Sequence, residues 1–275
     1  MEIKKVAAIH DLSGLGRCSL TAAIPILSVL NVQPCPMPTA VLSCQTGFSN
    51  FSFLDLTDEM KNINNSWKEE RIRFNGIYSG FLGSKHQVDT VIDVIKSNSD
   101  AKIFIDPVMG DGGELYKIYD IEMCEKIKEL VKYADVVTPN LTEACLLTDR
   151  NYKELNICED TLLEIAKDIT DKGPKQIIIT GIIQDNNIGN YSYDRESNES
   201  YYINVPYDNE SYSGTGDVFT SIICGMLIND YELKHAVDKA TDFIYKVIKY
   251  SLDQHCDPKN GVIFEPLLKD LILEI

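Results

Sequence analysis

Between residues 57 and 180 the sequence alternates helical and extended patterns with a regularity that few folds can satisfy. Apolar periodicity predicts helices near 57–67, 84–97, 120–132 and 159–171, with a short one near 141–147. Between them stand strand-like runs: Gly76-Ile77-Tyr78-Ser79-Gly80-Phe81, Lys102-Ile103-Phe104-Ile105-Asp106, Val136-Val137-Thr138 and Gln176-Ile177-Ile178-Ile179-Thr180. Such alternation requires right-handed crossovers and a mainly parallel sheet. Each strand ends in polar or glycine residues: Ser79-Gly80, Asp106, Thr138 with Asn140, and Thr180-Gly181. In open α/β sheets that end of the strands faces the ligand.

The flanks extend the pattern. Val6-Ala7-Ala8-Ile9 is a short strand that runs into the glycine-bearing loop His10–Arg17, and a helix follows with Leu20, Ala23, Ile24, Leu27 and Leu30 on one face. Pro25 predicts a kink or break in it. The loop glycines are too irregular for a dinucleotide fingerprint. Residues 32–55 read as short extended pieces, where Pro34, Pro36 and Pro38 prevent a helix, and Ala40–Gly47 reads as a strand entering a loop. Phe48, Phe51 and Phe53 fit a hairpin edge, a flap or an aromatic core stripe equally well. Tyr191, Tyr193, Tyr201, Ile203 and Val205 predict a β-hairpin across 194–200, expected on the nucleotide side, followed by a polar loop at 206–213. Two helices, 214–229 and 231–251, break at Asn229-Asp230, and Leu267, Leu268, Leu271 and Leu273 predict a last amphipathic helix. With no internal repeat, linker or low-complexity segment, residues 1–275 read as one domain.

A net charge of −16 argues against nucleic acid or an anionic membrane as partner, since either needs a basic face. It leaves a nucleotide substrate open, because backbone amides and a cation can neutralise phosphates locally. No apolar run is long enough to span a membrane, and the N-terminus has no signal-peptide pattern. The eight cysteines show no Cys-x-x-Cys spacing, which fits scattered thiols in a reducing cytoplasm.

Three stretches carry chemistry. Ser213-Gly214-Thr215-Gly216-Asp217 precedes an apolar helix. Its glycines allow close backbone approach, and a helix N-terminus holds negative charge. Asp217 beside such an anion turn can accept a proton from a hydroxyl that attacks a phosphoryl group; an ordinary capping turn is the plainer account. Asp106-Pro107-Val108-Met109-Gly110-Asp111 places two carboxylates after a buried strand, where they suit a divalent cation or a tight turn. Thr138-Pro139-Asn140-Leu141-Thr142-Glu143 is either a capping arrangement or a means of ordering water around Mg²⁺ and phosphates.

In order and spacing these three segments resemble the pyridoxal kinase family of the ribokinase-like superfamily, over about residues 4–255. Ser43-Cys44-Gln45-Thr46-Gly47 and the opening loop fit that family's vitamin-binding segment. The resemblance implies a three-layer α/β/α fold with a mainly parallel central sheet and a small β-hairpin flap. It implies an ATP-dependent kinase acting on the 5′-hydroxyl of pyridoxal, pyridoxine or pyridoxamine. Asp217 would be the catalytic base, with the N–H groups of Gly214, Thr215 and Gly216 on the transferring phosphoryl group. Asn140, Thr180 and Gly181 would bind ATP, and Asp106, Asp111 and Glu143 would serve Mg²⁺. His10, Ser13, Thr46 and Phe81 would line the vitamin pocket. A monovalent cation such as K⁺ is an open addition, and the resemblance suggests a homodimer. Two residues depart from the family pattern: His10 stands where many members carry Ser, and Asp11 looks more like the hydroxymethylpyrimidine kinases. A sugar kinase is disfavoured by Leu12, Leu42 and Phe81, which offer a sugar few hydrogen bonds. A non-catalytic nucleotide- or vitamin-binding regulator is the rival from another class.

Overall fold

The computed structural model describes residues 3–273. Its main sheet holds nine strands. They are β1 (Lys4–Ser13), β2 (Val32–Leu42), β3 (Phe53–Asp55), β4 (Gly76–Ser79), β5 (Lys102–Ile105), β8 (Val136–Val137), β9 (Gln176–Gln184), β10 (Asn187–Asp194) and β11 (Glu199–Pro206). The spatial order is β11-β10-β9-β8-β5-β4-β1-β2-β3. The six strands from β9 to β2 run parallel, while β10, β11 and β3 are antiparallel edges. Two short strands, β6 (Gly110–Asp111) and β7 (Glu114–Leu115), form a separate antiparallel pair. The chain leaves β1 toward β2 on one side and later returns to β4 on the other, so the strand order reverses beside β1. A ligand crevice is expected outside the strand C-termini at such a point.

Helices cover both faces. Helices α2 (Thr57–Glu69), α3 (Lys85–Lys96), α4 (Ile121–Val131), α5 (Leu141–Leu147) and α6 (Glu159–Thr170) pack on one side, with Ile9, Ile77, Ile105, Val137 and Ile177 of the sheet. Helices α1 (Ser19–Val29), α7 (Thr215–Ile228) and α8 (Leu233–Asp253) pack on the other, with Val6, Tyr78, Phe104, Val136 and Ile178. Successive strand residues thus enter opposite apolar cores, which is why these strands read as continuous apolar runs. The result is the ribokinase-like three-layer α/β architecture with a small antiparallel element.

Several local expectations change. Helix α1 runs unbroken through Pro25. It buries Ala22 and Ile26 beside Leu20, Ala23 and Leu27, while Ile24 is only half-buried. The stretch with prolines 34, 36 and 38 is extended, as expected, and forms one strand, β2. Residues two apart in a strand direct their backbone groups to the same side. Here that side faces away from β1, and β3 pairs with β2 only from Ala40 onward, so no ladder bond is lost. Phe53 belongs to the exposed edge strand β3, so the aromatic stripe is a sheet edge and not a core. The 188–205 hairpin forms, but β10 is paired along β9 within the main sheet. Its turn follows Asp194, which pairs with Gln176 at the start of β9, so it lies at the sheet end remote from the strand C-termini. Finally, the leucine-rich tail is a 3-10 turn, Glu265–Leu271, with Pro266 at its start.

Candidate active site

The C-terminal ends of β1, β4, β5, β8 and β9 meet the N-termini of α5 and α7. Helix α7 begins with Gly214 as its cap, at φ 78°. Glycine is required twice over: the left-handed backbone disfavours side chains, and a Cβ would fall on the Arg17 carbonyl oxygen. The turn is held from below by a C-terminal segment: Ser213 N–H donates to the Pro258 carbonyl at 3.1 Å, and Arg17 N–H to the Asn260 carbonyl at 3.1 Å. That support was not visible in the sequence, because it joins positions far apart in the chain. Thr215 donates its hydroxyl to the Tyr212 carbonyl at 3.2 Å, and Gly216 is exposed.

Asp217 follows in the first turn of α7, its side chain 17% exposed. Burial raises its pKa to about 7; the Ser19 backbone N–H pulls it down, and the Asp11 carboxylate pushes it up. Near neutrality it can therefore both accept and release a proton. The Tyr78 hydroxyl reaches the Asp217 backbone carbonyl at 3.4 Å. His10 Nδ1 stands 3.9 Å from Asp217 Oδ1. The His10 ring is fully buried, so it does not line an open pocket.

Ser13 is also buried, and its hydroxyl is committed to Asp11 Oδ2 at 2.7 Å. Ser19 gives its hydroxyl to Asp11 Oδ1. Asp11 is thus a buried carboxylate held by two hydroxyls, and burial raises its pKa. Its role as an organiser of the loop was missed from sequence, though an Asp after a buried strand was the available signal. Phe81 is half-buried after β4, with its ring 6.1 Å from that of Tyr119. Thr46 is exposed in the turn beyond β2. Its neighbour Gln45 ties that turn to the site, donating to the Lys259 carbonyl at 3.0 Å and accepting Gly47 N–H at 2.6 Å.

Asp106 follows β5 and is buried, and a Cβ on Gly216 would lie 4.0 Å from its Oδ2. Burial first, then the Glu143 and Asp217 carboxylates, push its pKa well above the usual range. Glu143 is satisfied differently. Its Oε1 accepts Met109 N–H at 3.0 Å and its Oε2 accepts Asn140 N–H at 2.9 Å. Asn140 caps α5 by accepting Glu143 N–H at 2.9 Å, and donates to the Gly110 carbonyl at 2.8 Å. This capping box fastens the 106–110 loop to the start of α5. Even with those bonds, burial holds the Glu143 pKa up at about 8. Asp111 is exposed on β6 and accepts Gly112 N–H at 2.8 Å.

Among the described residues no three His, Cys, Asp or Glu side chains converge to hold a metal ion by themselves. Mg²⁺ does not need them to, since it binds through one or two carboxylates, water and substrate phosphates. A buried carboxylate raised by two others fits a cation better than it fits its present surroundings.

Thr180 N–H donates to the Pro139 carbonyl at 2.9 Å, which places Thr180 beside Asn140. Thr180 and Gly181 together oppose Asn190, a bulge in the β9–β10 ladder. Gly181 has φ 69°, with open space where a side chain would stand. Sites expected from 140 and from 180–181 therefore share one ledge, separate from Thr46 and Phe81.

Known proteins share this fold. A Bacteroides thetaiotaomicron protein described as a candidate phosphomethylpyrimidine kinase, in a crystal form with pyridoxal, superposes with a TM-score of 0.95. It is 43% identical and covers 100% of this chain and 97% of its own. Pyridoxal kinase from Lactobacillus plantarum gives a TM-score of 0.91 at 25% identity, covering 98% of this chain and 97% of its own. Pyridoxal kinase of Dictyostelium discoideum is 27% identical over 262 residues, 89% of this chain and 85% of that protein. A model of the phosphomethylpyrimidine kinase family matches residues 22–261, and the chain belongs to that family of small-molecule kinases.

Proposed function

We propose that the protein phosphorylates the 5′-hydroxyl of pyridoxal and its B6 relatives with ATP, acting as one kinase domain over residues 1–275. The observation that carries the reading is Asp217, a carboxylate with its pKa raised to about 7 in the first turn of α7, directly after the Gly214 anion turn. The 43% identical relative in a crystal form with pyridoxal supports the choice of acceptor.

In this reading the γ-phosphoryl oxygens sit on the N–H groups of Gly214, Thr215 and Gly216, where the helix dipole favours charge. Asp217 takes the proton of the vitamin's primary alcohol as its oxygen attacks phosphorus in line, and ADP departs. Asn140, Thr180 and Gly181 form the nucleotide ledge. Asp106 and Asp111 would hold Mg²⁺, with Glu143 behind them; when bound, that cation offsets phosphate charge. A monovalent cation such as K⁺ stays an open addition. Phe81 and Thr46 would face the pyridine ring, a flat face and a hydroxyl. Segment 206–213 leads from β11 to the turn and would close over ATP. We also propose a cytoplasmic homodimer. Eight free cysteines support a reducing compartment, and among the described residues no helix is long and apolar enough to cross a membrane.

One observation favours a second acceptor. Asp11 is buried at the mouth of β1, and the family model that matches is that of phosphomethylpyrimidine kinase. Hydroxymethylpyrimidine is therefore the competing substrate. The test is a Mg-ATP assay against pyridoxal, pyridoxine, pyridoxamine, hydroxymethylpyrimidine and ribose, with Asp217→Asn alongside. Turnover of B6 vitamers that is lost in the variant is expected. Turnover of hydroxymethylpyrimidine alone moves the function to that ring, and no turnover of any acceptor favours a binding protein.

A further inference from the structure

His10 lies near the end of β1, on the sheet face that packs against α1 and α7. It is fully buried, and among the described residues neither ring nitrogen has a hydrogen-bond partner. A buried polar atom left unbonded costs about 1–3 kcal/mol, so an imidazole kept in this condition needs an explanation. Its ring is boxed in. Tyr78 meets it edge-on with centroids 4.2 Å apart, and a Cβ on Gly80 would fall on Nδ1 and Cε1. The Asp217 carboxylate also stands near Nδ1, with Oδ1 at 3.9 Å, just beyond hydrogen-bond reach. Burial lowers the His10 pKa to about 3, so the ring is neutral and carries one N–H.

We infer that His10 is a positioning residue for Asp217: a neutral imidazole in the Nδ1–H tautomer that donates to the ionised carboxylate when the base is set against the acceptor hydroxyl. The inference rests on the reading of Asp217 as that base. It also replaces a direct contact with the vitamin, because a fully buried ring reaches the acceptor through Asp217. No proton passes to His10; the hydroxyl proton goes to Asp217, and His10 restrains the oxygen that receives it. Partners that orient metal-bound side chains carry about 10- to 100-fold in affinity or activity when removed, and a partner that orients a base is expected to act on the same scale. Gly80 then has a definite job, leaving the volume that the ring occupies.

Three variants separate geometry from packing. His10→Asn places an amide N–H near the Nδ1 position, His10→Gln places it near Nε2, and His10→Leu supplies none. With folding checked by unfolding midpoint, His10→Leu should lower kcat about 10- to 100-fold with KM for ATP and vitamin little changed. His10→Asn should recover most of the loss and His10→Gln little of it. A wild-type kcat in His10→Leu, or equal losses in all three variants, overturns the inference. A second measurement needs no substrate. The chain has four histidines, so ¹⁵N imidazole spectra of the wild type can be assigned. A neutral ring protonated at Nδ1 is expected at pH 7–8, and an Nε2–H tautomer or an imidazolium defeats the proposal. If the wild type phosphorylates no B6 vitamer, the functional reading fails, while the spectra still decide the role of His10.

Discussion

Two carboxylates occupy the same kind of place, the first turn of a helix at the C-terminal edge of the sheet, yet their oxygens hold different partners. Glu143 on α5 is buried and has each oxygen bonded to a backbone N–H. Asp217 on α7 is partly exposed and faces a histidine that makes no hydrogen bond. Burial raises both. The difference lies in what the oxygens already hold. A carboxylate whose lone pairs are spent on backbone organises a loop, whereas one kept open beside an anion turn can take a proton. Placement at a helix start does not by itself make a base; in the proposed mechanism the oxygen left open on Asp217 does.

The largest effect should come from Asp217→Asn. We expect kcat to fall by about 10²- to 10⁴-fold with the fold unchanged, since a positioned general base contributes on that scale. Steady-state kinetics with circular dichroism check this, and a kcat within threefold of wild type would remove Asp217 from the proposed mechanism. Gly214→Ala should follow. It forces a side chain into a left-handed backbone against the Arg17 carbonyl, at a cost of about 2–4 kcal/mol. Denaturant unfolding would register that loss, and a variant as stable as wild type would mean that the turn is less constrained than its geometry implies.

Glu143→Gln sharpens the contrast, because it keeps the shape and turns one acceptor into a donor facing a backbone N–H. A loss of about 1–3 kcal/mol in stability is expected, with a smaller fall in kcat than in Asp217→Asn. The reverse ranking of the two variants would break the comparison.

The smallest effect is on pH dependence. Activity should fall about tenfold per pH unit below pH 7, as Asp217 takes up a proton. Stability runs the other way. The Asp217 pKa is raised on folding, so the native state keeps a proton that the unfolded chain releases. Its contribution is fully present below pH 3.8 and is lost as pH rises through about 7. Without added Mg²⁺, Asp217→Asn should therefore be more stable than wild type above pH 7, by about 1–2 kcal/mol, with the gap closing on acidification. Thermal scans at pH 5 and 8 would detect it, and a constant gap would assign the stabilisation to something other than this carboxyl.

Much of the fold was legible because the central parallel strands β4, β5 and β8 are short and buried on both faces. Val136-Val137 and Ile177–Ile179 read as strands from composition alone, and the helix starts at Asp120 and Asn140 carry their own caps. The prolines of β2 excluded a helix as expected, and the stretch is extended; a strand tolerates them because the neighbouring edge is unpaired there. The hairpin at 188–205 was found, but its orientation depended on antiparallel pairing with β9. Of the residues assigned to the vitamin pocket, Phe81 and Thr46 lie in positions that solvent reaches, while His10 and Ser13 lie inside.

By itself the sequence determined the layered α/β architecture and the positions of the chemical groups. Hydrophobic periodicity and turn chemistry act over a few residues, and both were on view. Tertiary structure alone decided which groups remain free. Nothing local says that Glu143 spends both oxygens on the 109 and 140 amides, or that Asp11 absorbs the hydroxyls of Ser13 and Ser19. Nor does it say that His10 is left unbonded beside Asp217. Burial and hydrogen-bond satisfaction are properties of contacts between distant segments, and they set which carboxylate is structural and which is available to react.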